Sequence, residues 1–274
     1  MSLFRVDPAK CRRDGICASV CPAGLIAPPA GDGLPQALPE AAALCINCGH
    51  CAAACPHAAL ELAAMPLVGM AELKRELKVS PEQAAQFLAS RRSIRNFKPD
   101  PLDRETLQQM LEVVAYAPSG HNTQPVAWLV IQGRERLDPL AGLVIAWMKA
   151  LVAAGNPLAE QLHMDRVVRR WGEGRDVILR GAPVVAVAHA AKDDRTAPAA
   201  CTIALAYLEL IAHGRGLGAC WAGFFNAAAN FYPPMQAALE LPAGHAAFGA
   251  MMLGQTGERY WRLPARKAPA VTWR

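Results

Sequence analysis

The sequence predicts a layered fold of the α+β or α/β type, preceded by a small cysteine-rich segment. Helix-like and strand-like patterns alternate from about residue 80 to residue 253, which is typical of layered folds. Seven of the nine cysteines stand within the first 55 residues. At 274 residues the chain has the length of roughly two domains. We therefore expect a small domain over residues 1–62, a linker over 63–84 and a larger domain over 85–274.

A helix is predicted over residues 80–90, across the boundary between the linker and the larger domain. Ser80 can cap this helix, Pro81 suits its first turn, and Gln83 stands three residues after the cap. Apolar runs and helical spacing predict the other elements: helices at 104–118, 138–154, 157–172 and 196–213, strands at 126–132, 183–190, 219–225 and 247–253, and an extended tail from residue 255.

One run of cysteines decides the chemistry expected of the first domain. It reads Cys45-x-x-Cys48-x-x-Cys51-x-x-x-Cys55-Pro56. This is the bacterial ferredoxin pattern for a four-iron, four-sulfur (4Fe-4S) cluster, and in two-cluster ferredoxins the fourth cysteine binds the other cluster. The run therefore predicts a protein that transfers single electrons.

An upstream copy of this run has an aspartate in place of one cysteine. It reads Cys11-x-x-Asp14-x-x-Cys17-x-x-x-Cys21-Pro22, so the segment resembles a two-cluster ferredoxin with one ligand replaced. The crossed pairing of that family implies one 4Fe-4S cluster on Cys45, Cys48, Cys51 and Cys21. The second site would use Cys11, Cys17 and Cys55, with Asp14 as a weak oxygen ligand or with no fourth ligand. It would hold four irons or three, or stay empty.

Zinc and disulfide bridges are the other common uses of closely spaced cysteines. Cys-x-x-Cys pairs also make zinc sites, but seven cysteines with two Cys-Pro ends favour clusters. Disulfides suit secreted proteins, and the first residues lack the pattern of a secretory signal. We therefore expect a reducing, cytoplasmic location. His50 and His57 are interpreted as neighbours of ligands, and Cys201 and Cys220 as small buried side chains.

Charge and hydropathy argue against two classes of partner. The net charge of +5 is mild, and no basic run is long enough for a nucleic-acid-binding arm. No uninterrupted apolar run reaches the ~18 residues that cross a bilayer. We expect neither a nucleic acid nor a membrane as partner.

Two polar stretches of the larger domain are candidate binding segments. The first offers guanidinium groups and a hydroxyl that can bind a phosphate, although alone it could be a solvated face: Arg91-Arg92-Ser93-Ile94-Arg95. The second offers side chains that can bind a polar heterocycle, although alone it could be an ordinary turn: Ala117-Pro118-Ser119-Gly120-His121-Asn122-Thr123-Gln124-Pro125.

Together these stretches resemble the nitroreductase family of FMN-dependent oxidoreductases. The resemblance covers about residues 85–274 and continues through Gly216-Leu217-Gly218-Ala219-Cys220-Trp221-Ala222-Gly223 and Pro264-Ala265-Arg266-Lys267. It implies an α+β sandwich that forms a homodimer, with FMN at the subunit interface and the tail wrapped around the partner. With the first domain included, the chain resembles members that carry an amino-terminal ferredoxin-like domain.

The resemblance also implies the flavin-binding residues. The FMN phosphate is expected to contact Arg91, Arg92, Ser93 and either Arg266 or Lys267. Arg95 is expected at the polar edge of the flavin ring. The flavin is expected to be lined, partly from the partner subunit, by Pro118, Ser119, Asn122 and Gln124. The backbone of Ala222 and Gly223 is expected near N5, where many relatives have an acidic side chain. No side chain is expected to act as a general acid or base.

The implied function is that of an iron–sulfur flavoprotein oxidoreductase. Clusters and FMN would pass electrons to an organic acceptor of the nitroaromatic or quinone type, with NAD(P)H or ferredoxin as donor. Two alternatives remain open. One is an electron-transfer or regulatory flavoprotein that acts on a protein partner, and the other is a flavin-dependent dehydrogenase of the same fold.

Overall fold

The computed structural model of the chain describes residues 3–274, which divide into two compact units. The amino-terminal unit comprises residues 3–78 and the short segment His121–Thr123. The carboxyl-terminal unit comprises Val79–Gly120 and Gln124–Arg274.

The amino-terminal unit is built from two-stranded ribbons and single helical turns. Strand β1 (Phe4–Val6) pairs antiparallel with β4 (Leu60–Leu62), and β2 (Ile26–Ala27) pairs antiparallel with β3 (Gln36–Ala37). The short helices are α1 (Ile16–Ser19), α2 (Ala41–Leu44) and α3 (His50–Ala53). Cysteines form part of its small core, which consists of Phe4, Cys17, Ile26, Cys51, Ala52, Leu60 and Leu62. Residues 67–69 and 75–77 form 3₁₀ turns in the predicted linker.

The two cysteine runs repeat the same backbone turns. Helices α1 and α3 each follow a glycine in the left-handed region, Gly15 at φ 73° and Gly49 at φ 74°. Left-handed residues recur 34 positions apart in the two copies, at 13 and 47, 15 and 49, and 24 and 58. The repeat seen in the cysteine spacing is therefore also a repeat of backbone conformation.

The carboxyl-terminal unit contains a four-stranded antiparallel sheet with strand order β5-β6-β8-β7. Its strands are β5 (Ala127–Gln132), β6 (Val184–Ala191), β7 (Leu217–Trp221) and β8 (His245–Gln255). Its helices are α4 (Pro81–Ser90), α5 (Arg104–Val114), α6 (Arg134–Ala153), α7 (Pro157–Gln161), α8 (Met164–Gly172), α9 (Ala197–Gly214), α10 (Gly223–Phe231) and α11 (Pro233–Leu239).

Helices cover both faces of this sheet, which confirms the predicted α+β sandwich. Side chains of a strand alternate between faces. Accordingly, Val185 and Val187 of β6 pack with α6, α10 and α11 on one face, whereas Val184 and Ala186 pack with α5 and α9 on the other. Helix α9 is long and apolar enough to cross a membrane by length and composition, and 44% of that span is buried inside this fold.

Several element predictions are confirmed. Helix α4 has the predicted capping box, in which the Ser80 hydroxyl accepts from the Gln83 amide and the Gln83 side chain accepts from the Ser80 amide. Strands β5 and β6 and helix α9 lie within about a residue of the expected positions. The tail after Gln255 has no regular secondary structure and is almost entirely exposed.

Other boundaries were wrong. Helix α5 ends at Val114, four residues early, and α6 begins at Arg134, four residues early. The single helix predicted over 157–172 is two helices, because His163 lies between them with φ 49°. The strand predicted over 219–225 ends at Trp221, and two helices that were not predicted, α10 and α11, follow it.

Candidate functional site

Eight predicted cluster ligands fall into two sets of four in the amino-terminal unit. One cavity is lined by Cys21, Cys45, Cys48 and Cys51, with apolar neighbours that include Phe4 and Leu62. A second cavity is lined by Cys11, Asp14, Cys17 and Cys55, with Arg12 and His57 beside them. Each set thus combines three members of one run with the last cysteine of the other. No three His, Cys, Asp or Glu groups within residues 3–274 lie close enough to hold a single metal ion.

Backbone amides point at the last cysteine of each run. The Leu25 N–H donates to Cys21 Sγ at 3.4 Å, and the Ala59 N–H donates to Cys55 Sγ at 3.3 Å. Hydrogen bonds to ligand sulfurs orient the ligands and tune the potential of a cluster. The two cavities therefore share this feature at equivalent positions.

The two half-sites differ most at Asp14 and Cys48. Asp14 is exposed and its Oδ1 accepts a hydrogen bond from the Ile16 N–H at 3.1 Å, whereas Cys48 is half-buried. Burial raises the pKa of Cys17, and it raises the pKa of Cys51 to about 11. Because ligand thiols must lose their protons, metal binding at both cavities would release protons.

In the carboxyl-terminal unit, the arginine-rich segment lies along the edge strand β7. Ser93 forms a parallel bridge with Ala219, and the Ile94 N–H donates to the Ala219 carbonyl at 2.9 Å. Gly218 permits this approach, since a Cβ there would lie 2.8 Å from Ile94 Cγ2. The pairing places the segment beside the middle of β7, whose carboxyl end leads to the turn at residues 222 and 223, called the corner below.

That corner presents backbone rather than a functional side chain. The Ala222 N–H donates to the Ala250 carbonyl at 2.8 Å, and the Ala222 side chain is buried. Gly223 is exposed and begins helix α10. The predicted reliance on backbone at these positions is compatible with this geometry.

A cavity of about 350 Å³ opens beside the arginine-rich segment. It is lined by Arg91 and Arg92 together with Arg259 from the beginning of the tail. Arg266 and Lys267, which were expected here, lie farther along the tail and are exposed. The sequence interpretation missed Arg259. Its only signal in the sequence is its position, as a basic residue soon after the last strand.

A buried carboxylate of this cavity was also missed. Glu209 of helix α9 accepts a hydrogen bond from Arg91 Nη1 on Oε1 at 2.7 Å and one from Trp221 Nε1 on Oε2 at 3.3 Å. His213, one turn later, lies 2.9 Å from the Ser90 hydroxyl. Burial, and then the Arg91 charge, lower the pKa of His213. The sequence did contain a signal for Glu209, because it is the single acidic residue of an otherwise mainly apolar helix.

The second predicted binding stretch forms a strained loop. Pro118, Ser119 and Gln124 line a mainly apolar cavity of about 180 Å³ between α5, β5 and α9. The Ser119 hydroxyl accepts from the Gln124 N–H at 2.9 Å. Left-handed φ values occur at Asn122 (55°) and Gln124 (47°), and such strain in non-glycine residues often marks functional loops.

Asn122 belongs to the amino-terminal unit. Its Nδ2 donates to the carbonyl oxygens of Ile46 at 3.1 Å and Asn47 at 3.0 Å, the two residues between Cys45 and Cys48. The side-chain amide predicted to face flavin thus binds the loop that carries two predicted cluster ligands.

Family models match both parts of the chain. The model described as the nitroreductase family matches residues 88–255, and the model described as a 4Fe-4S dicluster domain matches residues 9–60. The two matches agree with the ferredoxin-like and nitroreductase-like regions that the motifs indicated.

Curated relatives are similar over part of the chain. A nitroreductase, NfnB, of Mycolicibacterium smegmatis is 33% identical over 89 residues, which are 32% of this chain and 38% of that protein. A 5,6-dimethylbenzimidazole synthase of Rhodospirillum rubrum is 28% identical over 182 residues, which are 62% of this chain and 80% of that protein. The chain thus spans less than half of the first relative and most of the second.

Solved structures share the fold of the larger unit. A nitroreductase with bound FMN from Bacteroides fragilis has a TM-score of 0.56 and 20% identity, covering 69% of this chain and 97% of that one. A BluB-like flavoprotein from Clostridium difficile has a TM-score of 0.55 and 20% identity, covering 68% of this chain and 94% of that one. At such identity the likeness shows the fold alone.

Proposed function

Since the chain belongs to the nitroreductase family, whose model spans residues 88–255 of its 274, we propose that it is an FMN-dependent oxidoreductase with attached iron–sulfur clusters. Electrons would pass between the clusters, FMN and a small organic acceptor of the nitroaromatic or quinone type. The pairing of Ser93 with Ala219 supports this most directly, because it joins the candidate phosphate-binding segment to the edge strand that ends just before residues 222 and 223.

The phosphate end of FMN suits the cavity beside the arginine-rich segment. Arg91 and Arg92 offer planar sets of N–H donors there, and Ser93 stands next to them with a hydroxyl. A basic tail residue would complete the set, either Arg266 or Lys267 as the family pattern implies. The cavity lining has three arginines and two carboxylates, Glu209 and Glu258, so its net charge of +1 favours FMN over an uncharged flavin.

The ring end of FMN requires fewer side chains. We propose that the exposed Arg95 contacts the polar edge of the ring. Its charge would stabilise the negative charge that develops at this edge when the flavin is reduced. Pro118, Ser119 and Gln124 would line the ring, partly from the partner subunit, whereas the Asn122 side-chain amide is engaged by the carbonyls of Ile46 and Asn47. The exposed backbone of Gly223 can approach N5 closely, whereas the neighbouring Ala222 is buried and its N–H donates to the Ala250 carbonyl. When bound, FMN supplies the redox chemistry, and the protein supplies position and charge.

The two cysteine cavities suit two clusters. Cys21, Cys45, Cys48 and Cys51 provide four thiols for a 4Fe-4S cluster. Cys11, Cys17 and Cys55 provide three, and the exposed Asp14 carboxylate provides an oxygen. This second site would hold a three-iron cluster or a four-iron cluster with one weakly bound iron. A reducing cytoplasm is part of the proposal, because free thiols are kept reduced there.

A homodimer is the assembly that we propose. Strand β5 is an edge of the sheet, and an edge strand offers unpaired backbone groups to another chain. The tail carries apolar side chains that are exposed in the single chain, such as Trp261 at 78% and Trp273 at 89%. Large exposed apolar surfaces are typical of interaction sites, so a partner subunit would cover both features.

The test is turnover by protein loaded anaerobically with FMN, iron and sulfide. We expect it to reduce 4-nitrobenzoate or a benzoquinone with NADH, NADPH or reduced ferredoxin as donor. The variant Arg91→Gln should lose bound FMN and turnover, whereas Arg175→Gln, an exposed arginine of the same unit, should not.

Loaded protein that binds no flavin would contradict the proposal. Bound flavin that neither acceptor reoxidises faster than free FMN would also contradict it. In that second case, stable binding of a redox protein would favour the electron-transfer alternative.

A further inference from the structure

The buried carboxylate of Glu209 lies between two regions assigned to flavin. It is the single acidic residue of helix α9, and its side chain is 9% exposed. Removing a carboxylate from water is costly unless charged and hydrogen-bonding partners compensate it. Arg91 compensates the charge at 2.7 Å, and the Trp221 indole occupies the second oxygen at 3.3 Å.

The geometry leaves most of the Arg91 donors free for a ligand. A guanidinium has five N–H groups in one plane, and the ion pair with Glu209 runs through Nη1. The Arg91 side chain is 29% exposed and lines the cavity that also contains Arg92 and Arg259. Glu209 therefore holds the guanidinium from the buried side while its other donors can face the cavity.

Only a carboxylate satisfies both neighbours of residue 209. Arg91 and Trp221 are both donors, and each meets a different oxygen of Glu209. A glutamine has one carbonyl oxygen and one NH₂ group, so it would present a donor to one of these donors. The second bond matters for position, because Trp221 immediately precedes the corner at Ala222.

We propose that Glu209 is a positioning residue, which orients Arg91 toward the flavin phosphate. Through its second oxygen Glu209 also links Arg91 to Trp221, the last residue of β7, which directly precedes residues 222 and 223. This inference rests on the proposed FMN site. It predicts that Glu209 affects recognition of the phosphate group rather than of the flavin ring. Nitroreductase-like chemistry itself requires no proton transfer by this side chain.

The test compares FMN with riboflavin, which has the same ring and no phosphate. Dissociation constants of both flavins would be measured by fluorescence titration for wild type, Glu209→Gln and the control Glu173→Gln, an exposed carboxylate of the same unit. Glu209→Gln should weaken FMN binding about tenfold and change riboflavin binding less than about twofold, because a charged hydrogen bond to Arg91 is lost. Glu173→Gln should leave both constants unchanged.

Combining Glu209→Gln with Arg91→Gln should add little to the loss of FMN affinity caused by Arg91→Gln alone, because the two residues act through one contact.

If Glu209→Gln does not fold, Glu209→Asp keeps a two-oxygen carboxylate and should show a smaller loss of affinity, again confined to FMN. Equal losses for both flavins would overturn the proposal and indicate a structural role. Tighter FMN binding by Glu209→Gln would also overturn it, since Glu209 would then compete with the phosphate. Wild-type protein that binds neither flavin would instead contradict the FMN site itself.

Discussion

Residues 11–25 and 45–59 of the amino-terminal unit have the same turns and different ligands. Both copies have left-handed residues at matching positions and an amide that donates to the last cysteine. One copy offers Cys48 where the other offers Asp14. The two copies therefore supply equivalent backbone turns, and the side chain at position 14 or 48 would decide how firmly a cluster in each half holds a fourth iron. Thiolate suits iron in such clusters better than a carboxylate does.

The surroundings of the two copies differ as well. The loop between Cys45 and Cys48 receives both N–H groups of the Asn122 side chain on its carbonyls. In the other copy, Arg13 stands at the position that matches Asn47. Its Nε donates to the Asp32 carbonyl at 2.9 Å, near the surface. The four-cysteine half is thus tied to the segment His121–Thr123, which is continuous in sequence with the predicted flavin loop. We infer that this half is the more stable cluster site.

The largest expected effect comes from removing the thiol at position 48. Cys48→Ser leaves three thiols, as in the other half, so this cluster should lose its fourth iron and the iron content should fall by about one atom per chain from roughly seven or eight. The matched change Asp14→Ser should remove much less than one iron, because the fourth iron of that half is weakly bound or absent. Iron and sulfide analysis after anaerobic reconstitution measures both. Equal losses from the two variants would contradict the difference between the halves.

Completing the other half should have the next largest effect. Asp14→Cys supplies the missing thiol, and the Asp14 position already lies at its cavity. We expect about one more iron per chain, or a fourth iron that chelators remove more slowly. Electron paramagnetic resonance of oxidised protein would follow the loss of any three-iron signal. If iron content and chelator resistance both stay as in wild type, position 14 is not a ligand position.

Loosening the Asn122 contact should have a smaller effect. Asn122→Ala removes two hydrogen bonds to the loop at 46 and 47, so a chelator should remove the four-cysteine cluster about tenfold faster. Arg13→Ala removes an exposed hydrogen bond of the other cysteine run, to the Asp32 carbonyl, and should change this rate about twofold at most. Absorbance decay near 400 nm measures both. Unchanged decay in Asn122→Ala would show that this contact does not support the loop.

The smallest effect should come from the matched glycines. Gly15→Ala and Gly49→Ala both place a Cβ in a left-handed turn, at a cost of about 1 kcal/mol. A Cβ at position 49 would also lie 2.8 Å from Met65 Sδ, whereas position 15 is open. Gly49→Ala should therefore lower the free energy of unfolding by up to about 1 kcal/mol more than Gly15→Ala. Denaturant unfolding of cluster-loaded protein measures the difference, and a larger loss at Gly15 would contradict it.

Local signals in the sequence predicted a large part of this structure. The capping residues Ser80 and Gln83 predicted the start of α4, and the resemblance to two-cluster ferredoxins implied the ligand sets that line the two cavities. The helix α10 was missed because its short apolar sequence reads equally well as a buried strand. Its N-cap residue, Ala222, donates its N–H to the Ala250 carbonyl, a contact distant in sequence that local periodicity does not show.

The site itself was less predictable where long-range contacts decide it. Glu209 stands 118 positions from Arg91, and helical periodicity alone cannot show which face of α9 meets that arginine. Asn122 was assigned to the flavin loop by motif, yet its side-chain amide donates to carbonyls 75 and 76 positions away in the sequence. Motifs identify residue types, whereas the folded chain decides which groups they meet.

The most direct test of the account is the order of electron transfer within one chain. Anaerobic stopped-flow absorbance would follow cluster and flavin bands after fully loaded protein is mixed with NADH, NADPH or reduced ferredoxin. We predict that whichever centre is reduced first, the other follows at a rate that does not depend on protein concentration. If one centre is reduced while the other stays oxidised, or if the second step speeds up with protein concentration, the clusters and FMN do not form one electron-transfer path.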